Sequence, residues 1–242
     1  MNVRNFIIGI SAGMLISSSV NALSYKNSEG YYFEVFSGAT SIEDIDFGAT
    51  AEIVPGLTLD ASGVFGFDVG WTAGGRIGGP IFSKDVPFFG NFRGELEGSY
   101  SELNYDDFDG TLTVTYGGSS ISTGGSSPID GDVGILDIYL NLIYDGEPIY
   151  QHITPFFGFG LGMSSIDEEI KTIGHSGDQL TVNSKEKSTD GGIQVLLGVD
   201  LINFGNNFSS GFRFVGRHLY TGEEGTEGAL ALSSQFHLNY NF

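Results

Sequence analysis

The chain has 242 residues, no cysteine, and 30 acidic residues against 10 Lys and Arg, which gives a formal net charge of −20. This charge argues against nucleic-acid binding, which needs clustered Lys and Arg, and the lack of cysteine excludes disulfides and thiolate metal sites. The content of 38 Gly, 20 Phe and 11 Tyr favours a single all-β domain.

The first residues have the composition of a targeting segment. Arg4 supplies positive charge, Phe6–Ile16 is apolar, and Ser17–Ala22 is a run of mainly small residues that ends in a cleavage site. The apolar stretch is too short to cross a bilayer as a helix. We therefore predict a signal peptide over residues 1–22 and a mature β-barrel domain over residues 23–242.

Eight segments of the mature chain alternate between apolar and polar side chains, which is the period of a β-strand. In chain order they are Glu29–Gly38, Gly63–Gly78, Phe88–Leu103, Asp132–Tyr144, Ile153–Met163, Thr189–Leu201, Phe208–Leu219 and Gly228–Phe242. The fourth alternates most cleanly, because Leu136 and Ile138 share one face and Asp137 lies on the other.

The connections between these segments alternate between long and short. The long ones are Thr40–Ser62, Asn104–Gly131 and Ser164–Ser188, which are rich in Gly, Ser and acidic residues and are predicted to be loops, although Thr111–Tyr116 could extend a hairpin. This asymmetry is typical of outer-membrane barrels, which have long extracellular loops and short periplasmic turns. The paired loop acids lack the spacing of a calcium loop. We interpret them as solvated charges, and bridging to lipopolysaccharide phosphates through divalent cations is the alternative.

The charged residues inside the strands lie opposite the apolar face. They are Glu34, Asp68, Arg76, Arg93, Glu95, Glu97, Asp137, Asp200, Arg213 and Arg217. If the apolar face meets lipid, these side chains point into the barrel, where buried charges must pair. Because eight strands enclose just enough room for side chains, the pattern predicts an interior plugged by an Arg–carboxylate network. The alternative is a soluble β-sandwich whose charged face meets water.

The C-terminal strand carries apolar and aromatic residues at alternate positions, namely Phe236, Leu238, Tyr240 and Phe242, and Pro155–Gly162 opens the fifth strand. Together with the signal peptide and the eight strands, these features resemble the small outer-membrane β-barrel superfamily that includes the OmpA transmembrane domain, OmpX and the opacity-type surface antigens. The resemblance implies an eight-stranded antiparallel transmembrane barrel in the outer membrane of a Gram-negative cell, and a monomer surrounded by lipid and lipopolysaccharide. It also implies insertion by the outer-membrane assembly machinery, with the aromatic terminus as the assembly signal.

Such barrels serve different functions, so the fold does not select one. We predict a structural or surface-interaction role, adhesin-like or antigen-like, without enzymatic activity, cofactor or metal, and the sequence does not name an extracellular ligand. A narrow porin-like channel for small solutes is the first alternative. A lipid-A-modifying enzyme is the second, since His218 precedes Glu223 and Glu224, but Tyr220 occupies the position where a His-x-Ser arrangement needs a hydroxyl nucleophile.

Overall fold

The computed structural model describes residues 30–81, 91–149, 153–173, 180–204, 207–220 and 229–242, which form ten β-strands. The strands are β1 Tyr32–Ile42, β2 Ile45–Val54, β3 Leu57–Phe67, β4 Gly70–Pro80, β5 Phe92–Tyr116, β6 Ser119–Asp145, β7 Ile153–Ile173, β8 Leu180–Phe204, β9 Phe208–Tyr220 and β10 Ala229–Asn241. Among these residues no helix has the length and hydropathy that a membrane-spanning helix needs. The predicted signal peptide lies outside the described residues.

Eight of the strands close into an antiparallel ring. Its order is β1, β4, β5, β6, β7, β8, β9 and β10, and β10 returns to pair with β1 from Tyr32↔Asn241 to Ile42↔Ala231. A closed ring leaves no unpaired sheet edge at this level. The predicted eight-stranded antiparallel barrel is therefore confirmed.

Strand β6 changes its polarity along its length. In its lower part, Leu140 on the outer face is 66% exposed, whereas Asp137 on the inner face is 1% exposed. Above Asp137 the faces exchange, since Ile135 and Val133 are buried on the inner side and Asp132 lies on the outer side. The outer surface is thus apolar below this point and polar above it.

The neighbouring strands change at the same height. On β5, Tyr100 is exposed and Ser101 is buried, but two residues further up the inward residue is Leu103. On β7, the inward Ser164 pairs with Asp137 of β6, and Ile166 is the next inward residue. The reversal therefore runs across adjacent strands and marks the upper limit of the lipid-facing surface.

Two groups of aromatic side chains flank this apolar surface. Trp71 and Tyr100 contact each other at the upper limit, with ring centroids 5.6 Å apart, and Phe92 and Tyr144 contact at the lower limit, at 5.2 Å. Trp71 pairs with Glu102, about 33 Å along β5 from Phe92. A strand tilt of about 40° reduces this length to about 25 Å, the height of the apolar band of outer-membrane barrels.

Several hairpins continue far above the lipid-facing surface. Strand β5 has 25 residues and β6 has 27, against roughly 9–11 needed to cross the membrane. The β2–β3 hairpin continues β1 and β4 upward, and β3 pairs with the upper part of β5. We call the four-stranded sheet formed by β2, β3, Phe108–Tyr116 and Ser119–Ser127 the arm.

The prediction of long loops is largely wrong, because most of the residues assigned to them extend these hairpins. Thr40–Ser62 contains β2 and its turn at Gly56, Asn104–Gly131 is the β5–β6 hairpin, and the described part of Ser164–Ser188 continues β7 and β8. The predicted second strand is also wrong, since Gly63–Gly78 is divided between β3 and β4 by a break at residues 68–69.

The arm is stabilised by cross-strand hydroxyl contacts and a glycine turn. Thr113 and Ser122 contact at 2.8 Å, and Thr115 and Ser120 at 2.9 Å, which are pairings that stabilise antiparallel strands. The turn of β5–β6 is Gly117-Gly118, and both have positive φ, 60° and 84°, as a two-residue hairpin turn requires. Composition alone predicts a loop here because Ser, Thr and Gly suit both structures.

Candidate functional site: the charged barrel interior

The interior of the lower barrel is filled with paired charges. Among the described residues, its arginines and carboxylates are Arg76, Arg93, Arg213, Arg217, Glu34, Glu95, Glu97, Asp137, Asp145 and Asp200. Four of the carboxylates have side chains at most 1% exposed, which equals the number of arginines. The remaining two, Asp145 and Asp200, are 30% and 23% exposed. The closed part of the interior is therefore balanced in charge.

Arg217 of β9 organises the upper level. Its Nη1 lies 2.8 Å from Asp137 Oδ2, its Nη2 lies 2.5 Å from Glu97 Oε1, and its Nε donates to Gln194 Oε1 at 2.9 Å. Ser164 Oγ donates to the other Asp137 oxygen at 2.6 Å. Both carboxylates thus receive charge-assisted hydrogen bonds from one guanidinium.

Arg76 of β4 organises the middle level. Its Nε donates to Glu97 Oε2 at 2.8 Å, and its two Nη atoms donate to Glu34 and to the amide oxygen of Gln235. The guanidinium carbon lies 3.7 Å from the centre of the Phe36 ring, a cation–π distance. Because Glu97 also binds Arg217, the middle and upper levels form one network.

Arg213 and Arg93 organise the lower level. Both Nη atoms of Arg213 donate hydrogen bonds to the Glu95 carboxylate, at 2.8 and 3.0 Å. Only the planar guanidinium of arginine provides this bidentate geometry. Arg93 reaches Asp145 at 3.1 Å and Asp200 at 3.4 Å. This level lies at the end with the short turns, where the interior becomes more exposed.

Glycines on the inner face make room for the large interior side chains. A Cβ on Gly162 or Gly192 would collide with Tyr139, and a Cβ on Gly198 would collide with the ring of Phe156. Tyr139 and Phe156 are themselves 0% and 1% exposed. These glycines therefore leave room for the two rings beside the charged groups.

The polarity of the two surfaces identifies the environment of the ring. Outward-facing Phe157, Phe159 and Leu161 are 57%, 57% and 64% exposed, while Arg76 and Arg213 inside are 1% and 0% exposed. In water this arrangement would expose apolar surface and bury charge, but in lipid it satisfies both. This protein is a transmembrane β-barrel.

The barrel brings together nine of the ten charged residues predicted from sequence. The exception is Asp68, which is exposed in the link between β3 and β4, where its backbone N donates to Asn104 O at 3.0 Å. The prediction placed Asp68 inside because it treated Gly63–Gly78 as one strand, and the break there interrupts the alternation.

Several interior residues of the barrel were not predicted. Asp145 was assigned to a turn, and Asn141, Ser164 and Gln235 carry no charge that would single them out. Asn141 donates to Glu97 at 3.0 Å. The available signal was strand parity, since Gln235 shares its face with His237, whose Nε2 lies 2.8 Å from Asp200.

The residues of the predicted assembly signal lie on the lipid side of the barrel. Phe236, Leu238, Tyr240 and Phe242 are 44%, 47%, 41% and 68% exposed. The ring of Tyr240 contacts that of Phe208 on β9, with centroids 4.9 Å apart. Their role in assembly stays a prediction.

The features considered for catalysis and metal binding are not part of the interior. His218 lies on the outer face of β9, because its neighbours Arg217 and Leu219 point inward, and it pairs with Ile193 and Leu230. The acids that follow it in sequence lie outside the described residues. Within the described ranges, no group of three or more His, Asp or Glu is placed to hold a metal ion.

No protein-family model and no curated protein matches the sequence of this barrel. Its fold is similar to those of three solved outer-membrane proteins. The protease OmpT from Escherichia coli is 11% identical, with 89% of this chain and 98% of that chain covered and a TM-score of 0.44. Ail, the attachment invasion locus protein of Yersinia pestis, is 10% identical, with 88% and 99% covered and a TM-score of 0.39. OprG from Pseudomonas aeruginosa is 12% identical, with 89% and 97% covered and a TM-score of 0.44. Similarity at this level does not select a function.

Proposed function

We propose that the barrel is a sealed membrane anchor that presents the arm for interactions at the cell surface. The observation that carries this proposal is the length of the β5–β6 hairpin, whose strands of 25 and 27 residues extend well above the lipid-facing surface. Lipid and the lipopolysaccharide layer would surround the lower part, and the arm would stand above them.

The packing of the lower barrel supports an anchor in preference to a channel. The side chains of Arg76, Arg213 and Tyr139 are fully buried at three different levels of the interior. Opening a solute path would require separating charge pairs such as Arg213–Glu95, which costs several kcal/mol when one partner is left unpaired. In planar bilayers we therefore expect no steady conductance steps.

The test of the surface role shortens the arm without changing the barrel. Removing residues 48–51 and 59–62 from β2 and β3, and residues 111–114 and 121–124 from β5 and β6, deletes facing pairs only. An even number is lost from each strand, so every remaining side chain keeps its face. Adhesion to plates coated with extracellular-matrix proteins, and aggregation between cells, are compared for cells that carry the full chain and the shortened chain.

We expect adhesion or aggregation by the full chain and its loss on shortening, with unchanged heat-dependent gel mobility of the barrel. Equal adhesion and aggregation by both chains would remove the arm from the proposed function. Stable, large conductance steps from the full chain would favour the channel instead.

A further inference from the structure

The upper part of β6 is one edge of the arm. From Ile129 downward, β6 pairs with β5 on one side and with β7 on the other, beginning at Ile129↔Ile173. From Ser119 to Pro128, its only partner among the described residues is β5. We call Ser119–Pro128 the free edge. Its outer side presents a row of backbone N–H and C=O groups that another strand can pair with.

The turn of the β5–β6 hairpin determines which backbone groups point outward. In a two-residue turn such as Gly117-Gly118, the flanking residues Tyr116 and Ser119 exchange hydrogen bonds with each other. Hydrogen-bonded and non-hydrogen-bonded pairs then alternate along the hairpin, and the register is unbroken from Tyr116↔Ser119 to Phe108↔Ser127. The residues whose N–H and C=O groups point away from β5 are therefore Ser120, Ser122, Gly124 and Ser126.

The free edge lacks the features that usually protect an edge strand from pairing. Ser119–Ser127 contains no charged residue and no proline. The opposite edge of the arm, β2, has Asp46 and Glu52 and an irregular register between Glu52 and Val54. Charges, prolines and bulges on edge strands prevent association. The contrast between the two edges indicates that the free edge pairs with another strand.

The free edge is complementary to itself. When two copies pair antiparallel about a two-fold axis at Thr123, Ser120 faces Ser126 of the second copy and Ser122 faces Gly124. All four outward residues of each copy then form hydrogen-bonded pairs. A shift by one step of the ladder in either direction brings in Pro128, which has no N–H, or Gly118 of the turn, whose φ is 84°.

The same register covers the most exposed apolar side chain of the free edge. Ile121 is 77% exposed, and the two-fold axis at Thr123 places it directly across from Gly125 of the second copy. A Cβ on Gly125 meets nothing within 4 Å, so this position has room for the isoleucine side chain. The symmetry produces this contact twice, and cross-strand contacts of this kind stabilise antiparallel pairs.

The acidic character of the arm does not oppose this pairing. Residues 43–66 and 106–128 contain eight acids and no Lys or Arg, but none lies on the paired segments. In this register Asp109 and Asp60 of the second copy are the nearest carboxylates, and their strands are four strand spacings apart, or about 20 Å. This separation is more than twice the Debye length of about 8 Å at physiological ionic strength.

The direction of the arm determines where the second copy is anchored. Arms that rise from one membrane run in the same direction, so antiparallel pairing requires a copy in a facing membrane. Thr123 pairs with Leu112, which lies ten residues above Glu102 at the upper limit of the lipid-facing surface. With the strand tilt of about 40°, Thr123 stands about 25 Å above that surface, and two paired copies hold their membranes about 50 Å apart.

We propose that the free edge pairs antiparallel with the free edge of a second copy of this chain in a facing membrane. This inference rests on the proposed surface-interaction function and names its partner, the same protein on another cell. Four residue pairs with two hydrogen bonds each form a contact smaller than a standard interface. Stable adhesion therefore depends on many copies that act together.

The experiment reconstitutes the full chain into phosphatidylcholine vesicles in physiological salt. Light scattering measures vesicle clustering, and electron cryotomography measures the separation of the membranes in each cluster. Vesicles without protein are the blank. We expect clusters whose facing lipid surfaces are about 50 Å apart.

The decisive variants are Thr123→Glu and Thr123→Lys, because the two-fold axis places residue 123 opposite itself. Like charges directly opposite each other are unfavourable, and the loss is multiplied over many contacts, so each variant alone should reduce clustering by about tenfold or more. Mixing the two vesicle populations should restore clustering, because Glu then faces Lys. This restoration also shows that both variants fold.

The matched controls are Thr58→Glu and Thr58→Lys on β3, which pairs with β5 away from the free edge. Three strand spacings, about 14 Å, separate residue 58 from the second copy, so screening should leave clustering within about twofold of the unaltered chain. Retained heat-dependent gel mobility shows that the barrel of each variant is intact.

Three results would overturn the proposal: no clustering by the unaltered chain, clustering that persists in both Thr123 variants alone, or loss that mixing does not restore. Absence of clustering combined with arm-dependent adhesion of cells to matrix proteins would refute the self-pairing and leave the proposed surface function standing. Energy transfer between labelled copies within single vesicles, without clustering, would place the contact in one membrane and refute the facing arrangement.

Discussion

The inward face of the barrel is lined with charges in its lower part and with apolar side chains in its upper part. On β6 the same face carries Asp137 and Asn141 below, and Val133 and Ile135 above. The lower residues join the arginine network, and the upper residues join a cluster with Leu103. One continuous strand therefore contributes to two interiors of opposite polarity.

The surroundings of the barrel therefore select the polarity of its interior. Where lipid covers the outside, the outer side chains must be apolar and the inner ones are free to be polar if they pair. Where water covers the outside, the inner face becomes an ordinary apolar core. The two interiors should respond differently to mutation.

The largest effect is expected from breaking the lower network. Arg213→Leu leaves Glu95 buried without its bidentate partner, which should cost about 3–5 kcal/mol of unfolding free energy. The measurement is urea unfolding in lipid vesicles, followed by the fluorescence of Trp71, the only tryptophan of the chain.

The control for this prediction is Lys185→Leu, which removes an ion pair with Glu169 on the exposed outer surface of the upper part. Screening by water leaves such pairs with little effect, so no measurable change is expected. Comparable destabilisation by both substitutions would mean that the lower interior is hydrated and that its pairs behave as surface pairs.

A smaller and more local effect is expected from the upper core. Leu103 is 0% exposed within the apolar cluster, so Leu103→Ala should cost about 2–5 kcal/mol through lost burial and a cavity. Because this cluster lies above the ring's charged interior, the loss of stability should appear as faster hydrogen exchange in β2, β3 and upper β5. The heat-dependent gel mobility of the barrel should not change. A simultaneous loss of that mobility would show that the two parts unfold as one unit.

A third effect tests the close fit of the interior rings. Gly192→Ala places a methyl group against the hydroxyl of Tyr139, whereas a Cβ on the adjacent Gly191 meets nothing within 4 Å. Overpacking should cost about 1–3 kcal/mol at residue 192, and Gly191→Ala should be nearly neutral. The free energy of unfolding in lipid vesicles is compared for the two variants. Equal values would mean that the interior has room for a methyl group at residue 192.

The sequence predicts the membrane-crossing strands well and the arm poorly, for one physical reason. In Asp132–Tyr144, lipid-facing leucines and inward polar residues differ strongly, so alternation is clear. In Ser119–Pro128 of the same strand, small hydroxyl residues and glycines occupy both faces, and the alternation almost vanishes. A strand stabilised by hydroxyl pairs and a glycine turn is therefore hard to distinguish from a loop.

The partners within the charged interior could not be predicted from sequence. Parity places Arg217 and Glu97 on inward faces, but their contact at 2.5 Å joins residues 120 positions apart. Whether they meet depends on strand register and on the tilt of the barrel, which fix the relative heights of β5 and β9. Neither quantity is encoded in the period of a single strand.

The smallest effect concerns the pH dependence of the upper part. Burial, with the nearby Glu186 and Asp190 charges, raises the pKa of Glu168 above its ordinary value of 4.5, although the Tyr105 hydroxyl donates to it at 3.3 Å. The folded state then holds this proton more tightly than the unfolded state, so the stability contribution is full below about pH 4.5 and is lost as pH rises through the raised pKa.

Glu168→Gln should therefore slow hydrogen exchange in β7 and β8 at pH 7 and leave it unchanged at pH 4. Glu169→Gln, on the outer face of the same strand, is the control. Faster exchange in Glu168→Gln at pH 7 would mean that the charged hydrogen bond to Tyr105 outweighs burial and repulsion, and that Glu168 stabilises the folded protein.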